Sequence, residues 1–120
     1  MYYRNIAILI LKTMGASNLT IHSQEQIEVA AIAKVLAHPA RVAILEYISQ
    51  QDSCICNDIV DKIGLSQPTI SQHLQIIRQA GLIKGSFEGK SICYCLDVKR
   101  FKEFQDLFNI YFNTTTANCC

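Results

Sequence analysis

A mainly helical fold carrying one small β-hairpin, α+β in class, is what the sequence predicts, and three observations carry that expectation. The stretch from Gly64 to Ala80, GLSQPTISQHLQIIRQA, sets Ile70, Leu74 and Ile77 at helical spacing. A shorter helix, Asn57 to Ile63 (NDIVDKI), precedes it across Gly64. Downstream of Gly81, LIKGSF and KSICYCL flank a turn at Glu88-Gly89, the pattern of a two-stranded hairpin. A short helix, a glycine turn, a helix opening Ser-Gln-Pro and then a hairpin make a winged helix-turn-helix.

Each element has a local reason. Gly64 takes a left-handed backbone at no steric cost and so ends one helix. Ser66 caps the next, and Pro68 is tolerated in a first turn whose N–H groups have no helical partner. Gln72, Gln75 and Gln79 fall opposite the apolar stripe, with Ser71 and Arg78 toward one flank and Thr69 toward the other. Such a face suits the reading of base edges, because Gln pairs bidentately with adenine; a solvated helix with an uncharged polar surface is the alternative. In the shorter helix Asn57 or Asp58 is the cap, and Ile59, Val60 and Ile63 point inward.

Upstream, Ser23-Gln24-Glu25-Gln26 is a capping box that opens a helix to about Ala37, with Ile27, Ala30, Ala31, Val35 and Leu36 apolar. His38-Pro39 breaks it, and Pro39 starts a helix whose expected buried positions are Val42, Ile44, Leu45 and Ile48. His38 reads as a helix-boundary residue rather than a metal ligand. After the hairpin, Asp97 caps a last helix in which Phe101, Phe104, Phe108 and Tyr111 follow a 3–4 spacing, with Leu107 and Phe112 beside them. That is more aromatic surface than a domain this small buries alone, and it points to a partner helix in which Phe104 would sit in the seam.

The chain of 120 residues fits one domain, and its half share of apolar residues is ample for a core. We divide it into an N-terminal extension (1–22, of which 1–13 precede a second candidate start at Met14), the winged domain (23–112) and a Cys-ending tail (113–120), expected to be mobile. The net charge of +1 gives no global nucleic-acid signal. The charge is polarised, however: Lys62, Arg78, Lys84 and Lys90 stand against Glu88 alone between Lys62 and Ser91, whereas Asp52, Asp58 and Asp61 come without a base. The apolar run Ile6–Leu11 is too short for a signal core or a membrane span, so a cytoplasmic protein with reduced thiols is expected.

The six cysteines come in pairs: Cys54/Cys56, Cys93/Cys95 and Cys119/Cys120. Alternation along a strand puts Ile92, Tyr94, Leu96 and Ile55 toward the core and the four internal cysteines on the other side. The short strand before a helix-turn-helix commonly pairs with the second wing strand, and neighbouring strands lie ~4.8 Å apart. Four thiols then meet on one patch, close enough to chelate a soft ion or to couple as disulfides. Small apolar strand residues are the alternative reading of the same cysteines.

AKVLAHPARVAILEYI, IVDKIGLSQPTISQHLQIIRQAGLI and FEGKSICYCL together resemble the ArsR/SmtB family of bacterial metal-responsive repressors, from about Ile27 to Tyr111. The resemblance implies a homodimer built by the first and last helices, bound to double-stranded operator DNA and released by an inducer. It implies DNA contacts from Gln67, Thr69, Ser71, Gln72, His73, Gln75 and Arg78 on the helix, and from Lys84 and Lys90 on the wing. The position of Arg41 lies near the DNA side in the family, with a structural ion pair as the alternative. Arsenite- and cadmium-sensing members carry Glu-Leu-Cys-x-Cys-Asp-Leu where this chain has Ser-Cys-Ile-Cys-Asn-Asp-Ile, so both cysteines fall one residue early. That slip turns a side chain ~100° on a helix or to the other face of a strand, and the family's ligand geometry does not transfer directly.

No cofactor is expected to be permanently bound. The inducer expected first is a thiophilic ion, arsenite ahead of zinc or cadmium, held by Cys54, Cys56, Cys93 and Cys95, with Cys119 and Cys120 as further ligands or idle tail thiols. Oxidation or persulfidation of the same thiols is the second expectation. An enzyme is not expected: there is no Cys-x-x-Cys motif, no Cys/His dyad readable from spacing, and no phosphate-cradling Gly loop.

Overall fold

The computed structural model describes residues 21–55, 58–89 and 91–116. In chain order it has helices α1 (Gln24–Leu36), α2 (Pro39–Ser49), α3 (Ile59–Ile63) and α4 (Gln67–Gln79), strands β1 (Ile83–Glu88) and β2 (Ser91–Leu96), and helix α5 (Val98–Thr116). The strands form one antiparallel hairpin whose register pairs Ile83 with Leu96 and Glu88 with Ser91. This is the winged helix-turn-helix that the residue pattern predicts. The N-terminal extension up to residue 20, with both candidate starts, lies outside the described residues.

The helices begin and end for the reasons their residues supply. Ser23 accepts from the N–H of Gln26 at 3.2 Å while Gln26 Oε1 accepts from the N–H of Ser23 at 2.9 Å, closing the capping box on α1. His38 caps α2, its Nδ1 accepting from the Ala40 N–H at 3.0 Å. Asp97 accepts from the Arg100 N–H at 3.2 Å at the head of α5, and its other oxygen lies 3.7 Å from Lys84 Nζ. Asp58 stands at the cap position of α3 without a side-chain hydrogen bond, and Asn57, the other expected cap, lies outside the described residues. Ser66 does not cap α4 through the backbone either; its hydroxyl pairs with that of Thr69 at 2.9 Å.

One core joins every element. Ile32 and Val35 of α1, Ile44, Leu45 and Ile48 of α2, Ile59 of α3 and Ile70, Leu74 and Ile77 of α4 close on Ile55, Leu82, Ile83 and Phe104. Each such side chain stabilises the fold by roughly 1.5–3 kcal/mol through burial. Two expectations need correction. Val42 is 39 % exposed, and Arg41 takes the inward place beside it. Phe104, expected in a seam with a partner, is 6 % exposed and belongs to the protomer's own core. The last helix also runs beyond Phe112 to Thr116, through residues expected to be a mobile tail, with the hydroxyls of Thr115 and Thr116 bonding carbonyls one turn back.

Gly64 and Gly81 close the two ends of the helix-turn-helix with φ of +80° and +82°, where a side chain is strained. A Cβ at Gly64 meets open space, whereas one at Gly81 lies 2.7 Å from Nε of Arg100, which pairs with Glu103. Gly64→Ala should therefore cost the conformational term alone, about 1–2 kcal/mol, and Gly81→Ala measurably more because Arg100 must also move. Urea midpoints of the two variants test this; equal losses would remove Arg100 from the account.

Candidate nucleic-acid interface and cysteine site

Helix α4 buries Ile70, Leu74 and Ile77 and turns Gln67, Ser71, Gln72, Gln75, Arg78 and Gln79 to solvent. Gln67 Nε2 donates to Ser71 Oγ at 3.2 Å, and Thr69 is half-buried. Lys84 is exposed on β1, and Lys90 lies outside the described residues. The polar face is thus presented as the spacing predicts, next to the wing.

Two residues expected on that face point inward. Arg41 is 8 % exposed: its Nε donates to the Val35 carbonyl at 2.6 Å and its Nη2 to the Lys34 carbonyl at 3.0 Å. These carbonyls belong to the last turn of α1, where that of Lys34 also accepts from the Ala37 N–H at 3.3 Å and the helix dipole favours a cation. The ion-pair alternative for Arg41 is replaced by main-chain acceptors. His73 is likewise 8 % exposed, with Nδ1 3.4 Å from Arg41 Nη1 and its ring 4.4 Å from that of His38. A guanidinium only donates, so Nδ1 of His73 is the acceptor and its proton sits on Nε2. The Arg41–His73–His38 cluster therefore fastens α4 to the junction of α1 and α2, and neither Arg41 nor His73 is presented outward.

The cysteine site is built on one bridge. Ile55 and Tyr94 exchange two main-chain hydrogen bonds of 2.9 and 2.8 Å, laying the segment before α3 antiparallel to β2. The residues flanking a hydrogen-bonded pair face each other as a close, non-hydrogen-bonded pair with Cα atoms ~4.5 Å apart. Cys54 and Cys95 occupy those places, 4.6 Å apart at Cα, and are joined by a disulfide. Cys54 is exposed and Cys95 half-buried.

Cys93 shares the face of Cys95 but is completely buried and is itself disulfide-bonded, while Cys95 is half-buried like Ile92, Tyr94 and Leu96, so the expectation that the cysteines of β2 face away from the core fails at Cys93. Alternation separates two faces of a strand; it does not say which of them the rest of the chain covers. Cys56, Cys119 and Cys120 lie outside the described residues. Among the described residues no group of three His, Cys, Asp or Glu side chains is gathered as a metal site, and no helix is long and apolar enough to cross a membrane.

Residue-pattern reasoning gave Tyr94 only a core role. It is half-buried, and together with Ser71, Gln75, Arg78 and Gln79 it lines a cleft between α4 and the wing. The signal that marks it is Gly85, directly across the hairpin. A Cβ there would come within 3.4 Å of the Tyr94 ring and 3.3 Å of Ile92.

Comparison with known proteins agrees with this architecture. Residues 38–84 match the family described as "Bacterial regulatory protein, arsR family". An HTH-type transcriptional regulator of Methanocaldococcus jannaschii is 40 % identical over 75 residues, 62 % of this chain and 83 % of that protein. The HTH-type transcriptional repressor SmtB of Mycobacterium tuberculosis is 34 % identical over 65 residues, 54 % of this chain; the match spans about half of that repressor, 47 % of its length. The crystal structure of the transcriptional repressor BigR from Xylella fastidiosa superimposes with a TM-score of 0.56 at 28 % identity, covering 73 % of this chain and 90 % of that one.

The buried cluster has a pH signature. The His73 imidazole is held below its ordinary value of 6.5, first by burial and then by the charges of His38 and Arg41. In the acid range the unfolded chain therefore binds a proton at this residue before the fold does. The stabilising contribution is complete above the ordinary value and is lost as pH falls through the lower folded-state value. Acidification from about pH 7.5 to about pH 5 should lower the urea midpoint, and His73→Gln, which keeps an acceptor for Arg41, should flatten that fall. An unchanged pH slope in the variant would assign the effect to other groups.

Proposed function

Because this chain belongs to the arsR family of DNA-binding transcriptional repressors, we propose that its hold on operator DNA is set by the state of the thiols at Cys54 and Cys95. The observation that carries the reading is the disulfide across the Ile55–Tyr94 bridge. It ties the base of the helix-turn-helix to the wing, the two parts that approach DNA. With Cys54 and Cys95 as thiols the two segments are held by the bridge and by the burial of Ile55; in the disulfide form they are locked. Two wings and two recognition helices of a dimer must fit one duplex at fixed spacing, so a small change of wing angle in each protomer disfavours the bound state. Exposed Cys54 is the sulfur that an oxidant or an attacking thiol reaches first.

Gln72, Gln75 and Gln79 read base edges, while Arg78, Lys84 and Lys90 contact phosphates. Arg41 and His73 act from behind the helix, holding its position. The dimer forms through α1 and α5. Ile110 and Phe112 are 60 % and 56 % exposed on α5, and a notch between α1 and α5 is lined by Phe104, Leu107 and Ile110 together with Glu28, Glu103 and Asp106. Phe112→Glu places a charge on that surface without touching the protomer's core, and should give a folded monomer by light scattering that has lost operator affinity. A dimer of unchanged affinity would move the interface elsewhere.

A second reading keeps the repressor and makes a thiophilic ion the inducer, arsenite first and zinc or cadmium next. It draws support from Cys93, which shares the face of Cys95 and, being disulfide-bonded in this structure, becomes a third thiol there only on reduction. The two readings separate cleanly. Oxidation by diamide should weaken operator binding roughly 5–150-fold, the range of a 1–3 kcal/mol coupling, and Cys54→Ser with Cys95→Ser should bind without responding. Cys93→Ser should keep the diamide response and lose any response of the reduced protein to arsenite. A Cys54/Cys95 double variant that still answered diamide like the unmodified protein would end the disulfide reading.

A further inference from the structure

The cleft between α4 and the wing has the chemistry of an anion seat. Ser71, Gln75, Arg78 and Gln79 line one wall, at the spacing that puts them on one side of the helix, and Tyr94 of β2 lines the other. Among the described residues the lining holds one cation, two amides and two hydroxyls, and no carboxylate. Every one of these groups can donate a hydrogen bond, and the guanidinium brings the fork geometry that matches phosphate oxygens.

Tyr94 is held in place rather than merely adjacent. Its backbone is fixed by both hydrogen bonds to Ile55. Its ring lies close above Gly85, where even a methyl group would meet it at 3.4 Å. Lys84, the nearest cation of β1, pairs across the hairpin with Cys95 and belongs to the other face, where it reaches Asp97. Among the described residues the cleft's cation is therefore Arg78.

We propose that this cleft seats one backbone phosphate of the bound duplex, with Arg78 supplying the charge and the Tyr94 hydroxyl donating a hydrogen bond from the wing side. The inference rests on the DNA-binding reading above and adds to it a phosphate ligand in the wing strand. A strand of DNA passing between recognition helix and wing is gripped from both sides at this point. Phosphate contacts position a protein without reading sequence, so Tyr94 governs affinity and register, and Gln72, outside the cleft, governs choice of site.

The test uses the full chain and two duplexes, one selected by the unmodified protein from a random pool and one of arbitrary sequence. Tyr94→Phe keeps the ring above Gly85, and circular dichroism and urea midpoints check that it folds. It should weaken both duplexes by the same factor, on the order of tenfold, with the salt slope unchanged because no charge is lost. Arg78→Gln should also weaken both alike and lower the salt slope by about one phosphate contact. Combined, the two changes should cost less than the product of the single losses, since they serve one ligand. Gln72→Ala is the contrast, lowering preference for the selected duplex. If Tyr94→Phe left both affinities unchanged, or altered discrimination alone, the phosphate seat would be wrong while the DNA-binding reading stood. If the unmodified protein bound neither duplex, both would fall.

Discussion

Two main-chain hydrogen bonds between Ile55 and Tyr94 hold the segment before the helix-turn-helix against the wing, and much of the functional geometry follows from them. An isolated two-stranded hairpin is marginal in water, so the wing needs a third partner along its edge or a core beneath it. Ile55 supplies both: its backbone pairs with β2, and its side chain, 6 % exposed, enters the core. The same pairing makes Cys54 and Cys95 a close pair and brings the Tyr94 ring beside the recognition helix. A shift by one residue in this register would turn Ile55 out of the core, so burial of one side chain fixes the positions of the rest.

The opposite side of α4 is held by a different kind of contact. Arg41 is a buried cation without a carboxylate partner among the described residues, and its cost is met by the Val35 and Lys34 carbonyls at the end of α1. Hydrogen bonds to a charged group contribute about 1.5–3 kcal/mol each, and the end of α1 adds its dipole. Burial lowers the tendency of Arg41 to stay charged, yet a guanidinium does not give up its proton in proteins. Through His73 this cation reaches the inner face of α4. The recognition helix is thus set by the wing on one flank and by the α1–α2 junction on the other.

Most of the architecture was legible in the residues because it rests on local rules. The capping box at Ser23, the break at His38-Pro39, the left-handed glycines and the hairpin around Gly89 each follow from a few neighbouring side chains. What escaped depends on partners remote in the chain. Arg41 and His73 are 32 positions apart, and neither is apolar, so no periodicity marks them as inward. Val42 looks like core by composition and is displaced by the arginine next to it. The aromatic stripe of α5 reads as one surface, but the helix outruns the body it packs on. Phe104 is therefore buried while Tyr111 and Phe112 are left outside. Cys93 and Cys95 look equivalent by alternation and differ in what lies over them.

The placement of the thiols also bears on how a chemical signal reaches DNA without a long path. Cys95 and Tyr94 are neighbours in β2, and neighbours in a strand point to opposite faces. The sulfur therefore looks away from the cleft between wing and recognition helix, and the phenol looks into it. A crosslink from Cys95 to Cys54 fixes the separation and twist of the strand pair at that point, and a change of twist at one residue turns the next side chain with it. The reacting atoms need not enter the DNA-facing surface at all. In the thiol-state reading proposed above, reagents approach from the exposed side of Cys54, the bridge at Ile55 and Tyr94 keeps the two segments in register, and the effect is passed to the cleft through Tyr94.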